Sequence, residues 1–598
     1  MKRPRLFLLI ALIGFIFSIS AQENPLSETP VKNRTEFEEK ASALVDEILL
    51  EIPQLESKEN QITATTLMID LLWKRDEKRA RELALETAAK IRSALSPVFE
   101  KDEQLRAFLM YPPTQYKDLR ADFVLRIVTH DAEFARSLAA STEPSLLKAA
   151  PKTPSEQITI FNWQKDERDL EQKMAFRLAK TNIDGALVIS RRSLKIDSSQ
   201  ESLNVLRRLQ FKDAKTADAF ADEIIQGLLT EDFTKDREAH ETTAVFFRQL
   251  DPQNGVFGGM LSCTGCSLPK ALNLNPQKIR RLAAKWTDFA VTLDDEKAAF
   301  YLLPVVPLLE NLVPEKKAAL KAKIAAIEKN APKRFESAQI EEKIFDNKTT
   351  AEELLKMALT KKSRERFQLY REAFVKAANT SKAALERIQE VIAAHPESEE
   401  KRWLADEIAA NLAGKTAEDG HLELALEMAQ KVSKRDRRIG LLSFLALEFK
   451  KKGETEKAKQ IAEEIAVLMD LSTKDKMPKA IVGYDVFSSI FFVFALTNTP
   501  HAFDFLELTL PDAGESFFNR YPDLRSLINQ NSYRLSSYSK PVSNLARADF
   551  ERTKRLLLYF KRPEISILAK FYIAQALLEE KFEWGNLADY KEMVVIKN

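Results

Sequence analysis

The chain has 598 residues, of which 30% are charged and 45% hydrophobic, and its formal net charge at pH 7 is +2. A chain of this length exceeds what one hydrophobic core supports, so we expect several domains or a long array of repeats. Because the opposite charges nearly balance and are dispersed, the composition argues against binding to nucleic acid or to an anionic membrane surface.

The first 21 residues have the layout of a secretory signal peptide. Lys2, Arg3 and Arg5 precede the apolar run Leu6–Phe17, and small residues follow as far as Ala21. We expect cleavage after Ala21 and a mature protein in the periplasm or outside the cell. The apolar run is short for a bilayer span of about 20 residues, so an uncleaved membrane anchor is the weaker alternative and no integral membrane insertion is expected after cleavage.

A recurring pattern of an Asp followed by Ala four and eight residues later predicts helical hairpins. It occurs as Asp76-Ala80-Ala84, Asp131-Ala135-Ala139 and Asp213-Ala217-Ala221. Asp is a preferred N-cap residue, and Ala residues four positions apart share one helix face that a neighbouring helix can approach closely. Each occurrence is therefore interpreted as the start of the second helix of a hairpin.

Helical periodicity dominates the chain, which contains only 14 glycines and almost no β-type alternation. We expect an all-α fold, an α-solenoid of antiparallel helical hairpins that a hinge could divide into two arrays. An N-terminal helical-repeat region is predicted over residues 22–330 and a C-terminal one over 351–598. The segment 331–350, with Pro332 and few apolar residues, is the predicted hinge.

The only two cysteines, Cys263 and Cys266, form a Cys-x-x-Cys motif in a Gly-rich loop predicted over residues 251–278. In an exported protein this pair should form a disulfide. Such a short loop gives roughly 2 kcal/mol of chain-entropy stabilisation, so we expect the bond to fix the shape of the loop. A redox-active pair and a zinc half-site remain as alternatives, although no thioredoxin-like βαβ pattern and no second Cys pair accompany the motif. Ser267 stands where covalent haem attachment needs His, so haem is excluded.

In the C-terminal half, one pattern recurs with an offset of 33 residues: Gly420, Ala425 and Ala429 match Gly453, Ala458 and Ala462. Over residues 405–470 the chain resembles a tetratricopeptide repeat, a family in which a Gly closes the first helix and small residues begin the second. The resemblance implies TPR-like hairpins and a surface for peptides or partner proteins. The chain also resembles uncharacterised exported helical-repeat proteins of bacteria, which implies no particular ligand. The most apolar later segment, Val486–Leu496, is interpreted as a buried helix.

Motifs for catalysis are weak. The segment Glu515-Ser516-Phe517-Phe518 resembles the start of the catalytic segment of soluble lytic transglycosylases, in which the Glu is the general acid that cleaves peptidoglycan. The Gly-Leu-Met-Gln segment that follows in that family is missing, and too little chain remains for the catalytic domain. The five His residues are scattered, and His240-Glu241 lacks a second His at the metalloprotease spacing.

The sequence therefore predicts a non-catalytic exported scaffold that binds protein or peptide partners, with no catalytic residue, metal or cofactor assigned. A thiol–disulfide module that uses Cys263 and Cys266 is the first alternative, and a peptidoglycan-active lytic enzyme is a weaker one. The sequence identifies neither the ligand nor the oligomeric state.

Overall fold

The structure is a computed structural model. It describes residues 31–95, 114–143, 154–194, 200–250, 271–332, 349–432, 434–469, 484–518, 523–528 and 539–578, together with positions 334, 335, 340, 343, 344 and 521. Within these residues all regular structure is helical, in 26 α-helices joined by turns and short 3₁₀ segments. The all-α prediction is confirmed. The predicted signal peptide and its cleavage after Ala21 lie outside the described residues.

Fourteen helices precede the predicted hinge, and several begin at a Ser, Asp or Asn cap. They are α1 (Val31–Glu51), α2 (Lys58–Leu72), α3 (Glu77–Leu95), α4 (Thr114–Ile127), α5 (Ala132–Ser141), α6 (Pro154–Leu178), α7 (Ile183–Leu194), α8 (Gln200–Lys212), α9 (Ala214–Thr230), α10 (Arg237–Leu250), α11 (Pro276–Ala290), α12 (Asp295–Tyr301), α13 (Val306–Leu312) and α14 (Lys317–Asn330).

Twelve helices follow the predicted hinge. They are α15 (Ala351–Leu359), α16 (Ser363–Thr380), α17 (Lys382–Ala393), α18 (Glu399–Glu418), α19 (Leu422–Gln430), α20 (Arg435–Lys451), α21 (Thr455–Met469), α22 (Tyr484–Thr497), α23 (Thr499–Phe518), α24 (Ser539–Ala548), α25 (Phe550–Arg555) and α26 (Pro563–Leu577). The apolar segment Val486–Leu496 lies in α22, where Ile490 and Phe494 are fully buried.

The Asp–Ala pattern marks helix starts as predicted. Asp131 Oδ1 accepts a hydrogen bond of 2.9 Å from the backbone N–H of Phe134, and the equivalent bonds of Asp76 and Asp213 are 3.0 and 3.1 Å long. These bonds satisfy N–H groups that have no partner within the first helical turn. The Ala four residues after each Asp is fully buried, at Ala80, Ala135 and Ala217. Each cap therefore places a small side chain against the neighbouring helix.

The two glycines with the 33-residue offset end α18 and α20 in the same way. Gly420 and Gly453 have φ values of +92° and +85°, a left-handed conformation that is unfavourable for residues with a Cβ. The residue after each Gly donates its N–H to the carbonyl five positions earlier, at 3.1 and 3.0 Å. This is the Schellman cap, and it starts a hairpin at each site. The tetratricopeptide resemblance itself stays a prediction.

Neighbouring helices pack in two series. In the first series α2 packs against α4, α4 against α6, α6 against α8, and α8 against α10. In the second series α16 packs against α18, and the contacts continue through α20, α22, α24 and α26. Most of these helices also pack against the next helix in the chain, as the members of hairpins do. A regular solenoid and a division into two arrays remain predictions.

The first and last described helices pack against each other. Helix α26 contacts α1 and α2, and we call this packing the terminal seam. One hydrophobic core contains side chains from α1 to α6 together with residues of α26 and of the segment 523–528. Described residues from before and after the predicted hinge thus share one core.

Among the described helices, none combines the length and the apolar character that crossing a bilayer requires.

Candidate functional site

A cavity of about 560 Å³ lies at the turn that precedes α10, beside the end of α11 and helix α12. We call it the α10–α12 cleft. Its volume lies within the range of about 300–1,000 Å³ that is typical of ligand-binding sites. The lining residues are Phe233, Thr234, Lys235, Arg237, His240, Glu241, Phe289, Leu293, Glu296, Lys297, Phe300, Tyr301 and Arg334.

The turn between α9 and α10 is fixed by two Asp side chains. Asp232 Oδ1 accepts hydrogen bonds from the N–H and the hydroxyl of Thr234, at 3.1 and 2.6 Å. Asp236 Oδ1 accepts from the N–H of Ala239 at 3.0 Å, as an N-cap does. Because α10 begins directly after Asp236, its residues 237, 240 and 241 lie on one face, at spacings of three and four positions. That face lines the cleft.

Helix α12 forms the opposite wall and is held by two polar contacts. Asp295 at its start accepts a hydrogen bond of 2.7 Å from Nζ of Lys323 in α14. At its end, the guanidinium of Arg248 donates to the backbone carbonyl of Phe300. These contacts place Phe300 and Tyr301 beside α10.

The floor of the cleft is aromatic. His240 is buried, and its ring centroid lies 4.9 Å from that of Phe289 and 5.4 Å from that of Tyr301. The carbonyl oxygen of His240 accepts a hydrogen bond of 3.1 Å from Nε1 of the fully buried Trp286. Burial lowers the pKa of His240 below its ordinary value, so the imidazole is mainly neutral at pH 7. It therefore extends the apolar floor and adds no charge.

A polar triad crosses the cleft from α10 to α12. Glu241 Oε1 accepts a hydrogen bond of 2.6 Å from the Tyr301 hydroxyl and one of 2.7 Å from Nε of Arg237. Burial opposes ionisation of Glu241, but these two bonds hold its pKa below the ordinary value. Burial and the neighbouring carboxylate raise the pKa of Tyr301. Glu241 is therefore ionised and Tyr301 protonated at neutral pH, and the Glu241 carboxylate holds both Tyr301 and Arg237 in place.

The rim carries basic side chains and one exposed ring. Four basic residues line the cleft against two acidic ones. Phe300 is 59% exposed and is the one Phe among the exposed large hydrophobic residues of the described part of the chain. Since the floor is apolar and the rim is charged, the cleft can bury an apolar group while it contacts a charged one. An apolar floor with a charged rim suits the binding of a ligand that has both apolar and charged groups.

Of the residues singled out from sequence, the pair His240-Glu241 lines the cleft. Cys263 and Cys266 are outside the described residues, so the disulfide, redox and zinc interpretations stay predictions. Of the predicted loop over 251–278, the part from Pro276 onward is helical, in α11. Glu515 lies in helix α23. In the described part of the chain, no three His, Cys, Asp or Glu side chains are grouped so as to hold a metal ion.

Sequence reasoning missed the cleft, although it considered one of its elements. From sequence, His240 is expected to be a surface or interface residue, and His240-Glu241 lacks the second His of a metalloprotease motif. The pair Phe300-Tyr301, at the end of a short helix with an Asp cap, is the signal that could have indicated an aromatic surface.

Comparison of the chain with protein-family models, with curated proteins and with solved structures finds no match. The fold and the cleft define the class of the protein, which is all-α with an aromatic and basic cleft.

Proposed function

We propose that this protein is an exported, non-catalytic helical scaffold that binds protein or peptide partners in the α10–α12 cleft. The observation that carries the proposal is an exposed aromatic side chain, Phe300, at the rim of a cavity of about 560 Å³. Aromatic residues beside well-packed pockets dominate the binding energy of many protein interfaces. The signal-peptide pattern of the first 21 residues supports export.

The polarity of the cleft supports binding over catalysis. The carboxylate of Glu241 is engaged by Tyr301 and Arg237, and these bonds hold its pKa below the ordinary value. General acid–base catalysis needs a group that exchanges a proton with the substrate near the working pH. These side chains are arranged to keep a surface in place, and a rigid surface lowers the entropic cost of binding.

Site-specific photocrosslinking tests the proposal. A photoreactive phenylalanine analogue replaces Phe300 in one variant and Val467 in a control, because Val467 is also exposed but lies in α21. Both variants are produced in the native cells, irradiated, purified and analysed by mass spectrometry. We expect one defined protein or peptide adduct from position 300 and none from position 467. Equal adducts from both positions, or none from position 300, would contradict the proposal.

A further inference from the structure

We propose that the occupant of the α10–α12 cleft is an acidic peptide segment in which carboxylates flank an apolar, preferably aromatic, side chain. This inference rests on the proposed function of the cleft and names the chemistry of its partner. The floor of the cleft favours the apolar side chain, and the rim favours the carboxylates.

The floor requires an apolar anchor. The rings of His240 and Phe289 lie 4.9 Å apart, and Phe233, which is 4% exposed, packs beside Phe289 at 5.9 Å. Phe300 is the one lining side chain of this aromatic group that remains largely exposed. A ring inserted into the cleft would cover Phe300 and gain edge-to-face or offset-stacked contacts, which add about 0.5–1.5 kcal/mol per pair to the burial of area.

Two guanidinium groups favour a carboxylate beside that anchor. Arg237 is held through Nε by Glu241, yet its side chain is 84% exposed, so the end of the fork faces solvent. Arg334 is exposed and, among the described residues, forms no ion pair. Guanidinium groups bind carboxylates in a bidentate geometry, and a side chain that is already positioned loses less entropy on binding.

Two lysines can also contact a ligand carboxylate, beside the two arginines, at little cost in free energy. Lys235 and Lys297 pair with Asp232 and Asp294 at 3.2 and 2.9 Å, three residues earlier in the chain. Such exposed pairs contribute little, with a median of about 0–1 kcal/mol, so a ligand carboxylate can replace them. The lysines are thus available as secondary cations.

The acidic residues near the rim divide into two groups. Asp232, Asp236 and Asp294 each accept a backbone N–H of the turn or helix that follows, so local dipoles partly offset their charge. Glu296 lines the cleft, is exposed, and has no ion-pair partner among the described residues. Glu241 also lines the cleft, but Arg237 and Tyr301 engage its carboxylate, so Glu296 is the lining residue that should repel an acidic ligand.

Fluorescence anisotropy with short capped peptides tests the inference. The probe has a central Phe with two Asp on each side, and its controls carry Asn for Asp or Ala for Phe. Titrations use the mature protein and its variants Arg334→Gln, Arg237→Gln and Glu296→Gln. Arg92→Gln is the matched control, because Arg92 is exposed in α3, which is not among the helices that form the cleft.

We expect the Asp–Phe peptide to bind more tightly than either control peptide, and more weakly as salt is raised. Arg334→Gln and Arg237→Gln should each weaken binding about threefold to tenfold, Glu296→Gln should tighten it, and Arg92→Gln should leave it unchanged. Tighter binding of the Asp–Phe peptide by Glu296→Gln is the decisive result, because damage to the structure would not improve affinity.

Equal affinity for the Asp and Asn peptides, no binding of the Asp–Phe peptide at about 1 mM, or weaker binding by Glu296→Gln would overturn the inference. Each of these results, together with an adduct from position 300, would leave the scaffold function standing and reject only the acidic partner. The same results without any adduct would reject both.

Discussion

At the residue scale, Glu407 is the most unusual side chain in the described part of the chain. It lies in α18 with a side chain that is 0% exposed, and it forms an ion pair with Arg437 of α20. Burial, only partly offset by Arg437, raises the pKa of Glu407 from 4.5 to about 7. The charged form is therefore unfavourable in the folded protein despite the ion pair.

The pH dependence of stability follows from this raised pKa. Since the folded protein holds the proton more tightly than the unfolded chain, Glu407 lowers the free energy of unfolding as pH rises from about 4.5 to about 7. We expect Glu407→Gln to raise the free energy of unfolding by roughly 1–3 kcal/mol at pH 8 and to change it little near pH 4.5. Urea unfolding at both pH values measures the difference.

The matched control for Glu407 is Glu427→Gln, because Glu427 is exposed on the neighbouring helix α19. This variant should unfold like the parent at both pH values. A Glu407→Gln variant that is less stable than the parent at pH 8 would show that the ion pair with Arg437 outweighs the cost of burial.

At the scale of single helices, the glycine caps allow a paired test. Gly453 ends α20 with φ of +85°, whereas Gly440 lies inside the same helix, and a Cβ added at either position meets no atom within 4 Å. The two glycine positions therefore differ in backbone conformation and not in the space available to a Cβ. We expect Gly453→Ala to destabilise the protein by about 1 kcal/mol and Gly440→Ala to stabilise it by up to about 1 kcal/mol.

Thermal unfolding of the two alanine variants checks this prediction. Opposite shifts of the midpoint would support the left-handed cap that the glycine spacing indicates. An unchanged or raised midpoint for Gly453→Ala would contradict a positive φ at residue 453.

Helix boundaries were predictable because caps are local. Asp131 and Asp213 begin helices for reasons contained within four residues of sequence, and Gly420 and Gly453 end them for equally local reasons. The cleft was not predictable in this way. Its walls come from the segments 233–241 and 289–301 and from Arg334, which packing alone brings together.

At the scale of the whole molecule, the terminal seam joins the first and last described helices. Lys570 of α26 has a side chain that is only 8% exposed, and its Nζ donates to Glu47 of α1 at 2.6 Å and also to Glu51. Lys554 donates to Glu47 at 2.9 Å. Burial acts against the ionised form of Glu47, but the two lysines hold its pKa below the ordinary value.

Loss of the buried Lys570 cation should destabilise the packing at the terminal seam. In Lys570→Met, the carboxylates of Glu47 and Glu51 would stay half-buried without the Lys570 cation. We therefore expect the free energy of unfolding to fall by about 1–3 kcal/mol at neutral pH. The loss should shrink in acid, because Glu47 contributes stability above its unfolded pKa and loses it as pH falls through its folded pKa. Urea unfolding at neutral and acidic pH measures both effects.

Lys554→Met is the control for the seam, because the Lys554 side chain is 41% exposed and should contribute less than about 1 kcal/mol. Equal losses from the two substitutions, or no loss from Lys570→Met, would contradict the described packing.

The seam could not be inferred from the sequence. The patterns of α1 and α26 show that each helix has apolar residues to bury, but they do not show that the two bury them together. Lys570 and Glu47 are 523 positions apart, and no local signal links residues at that distance. An open solenoid and a chain with joined ends have the same hairpin signals, since those depend on nearest neighbours alone.

Hydrogen–deuterium exchange of the protein, with and without the Asp–Phe peptide, tests directly whether the α10–α12 cleft is the binding surface. We predict slower exchange in residues 233–241 and 289–301, with the hairpins over 405–469 unchanged. Slower exchange in the hairpins over 405–469, with unchanged exchange at the cleft, would contradict binding in the cleft and assign it to those hairpins instead.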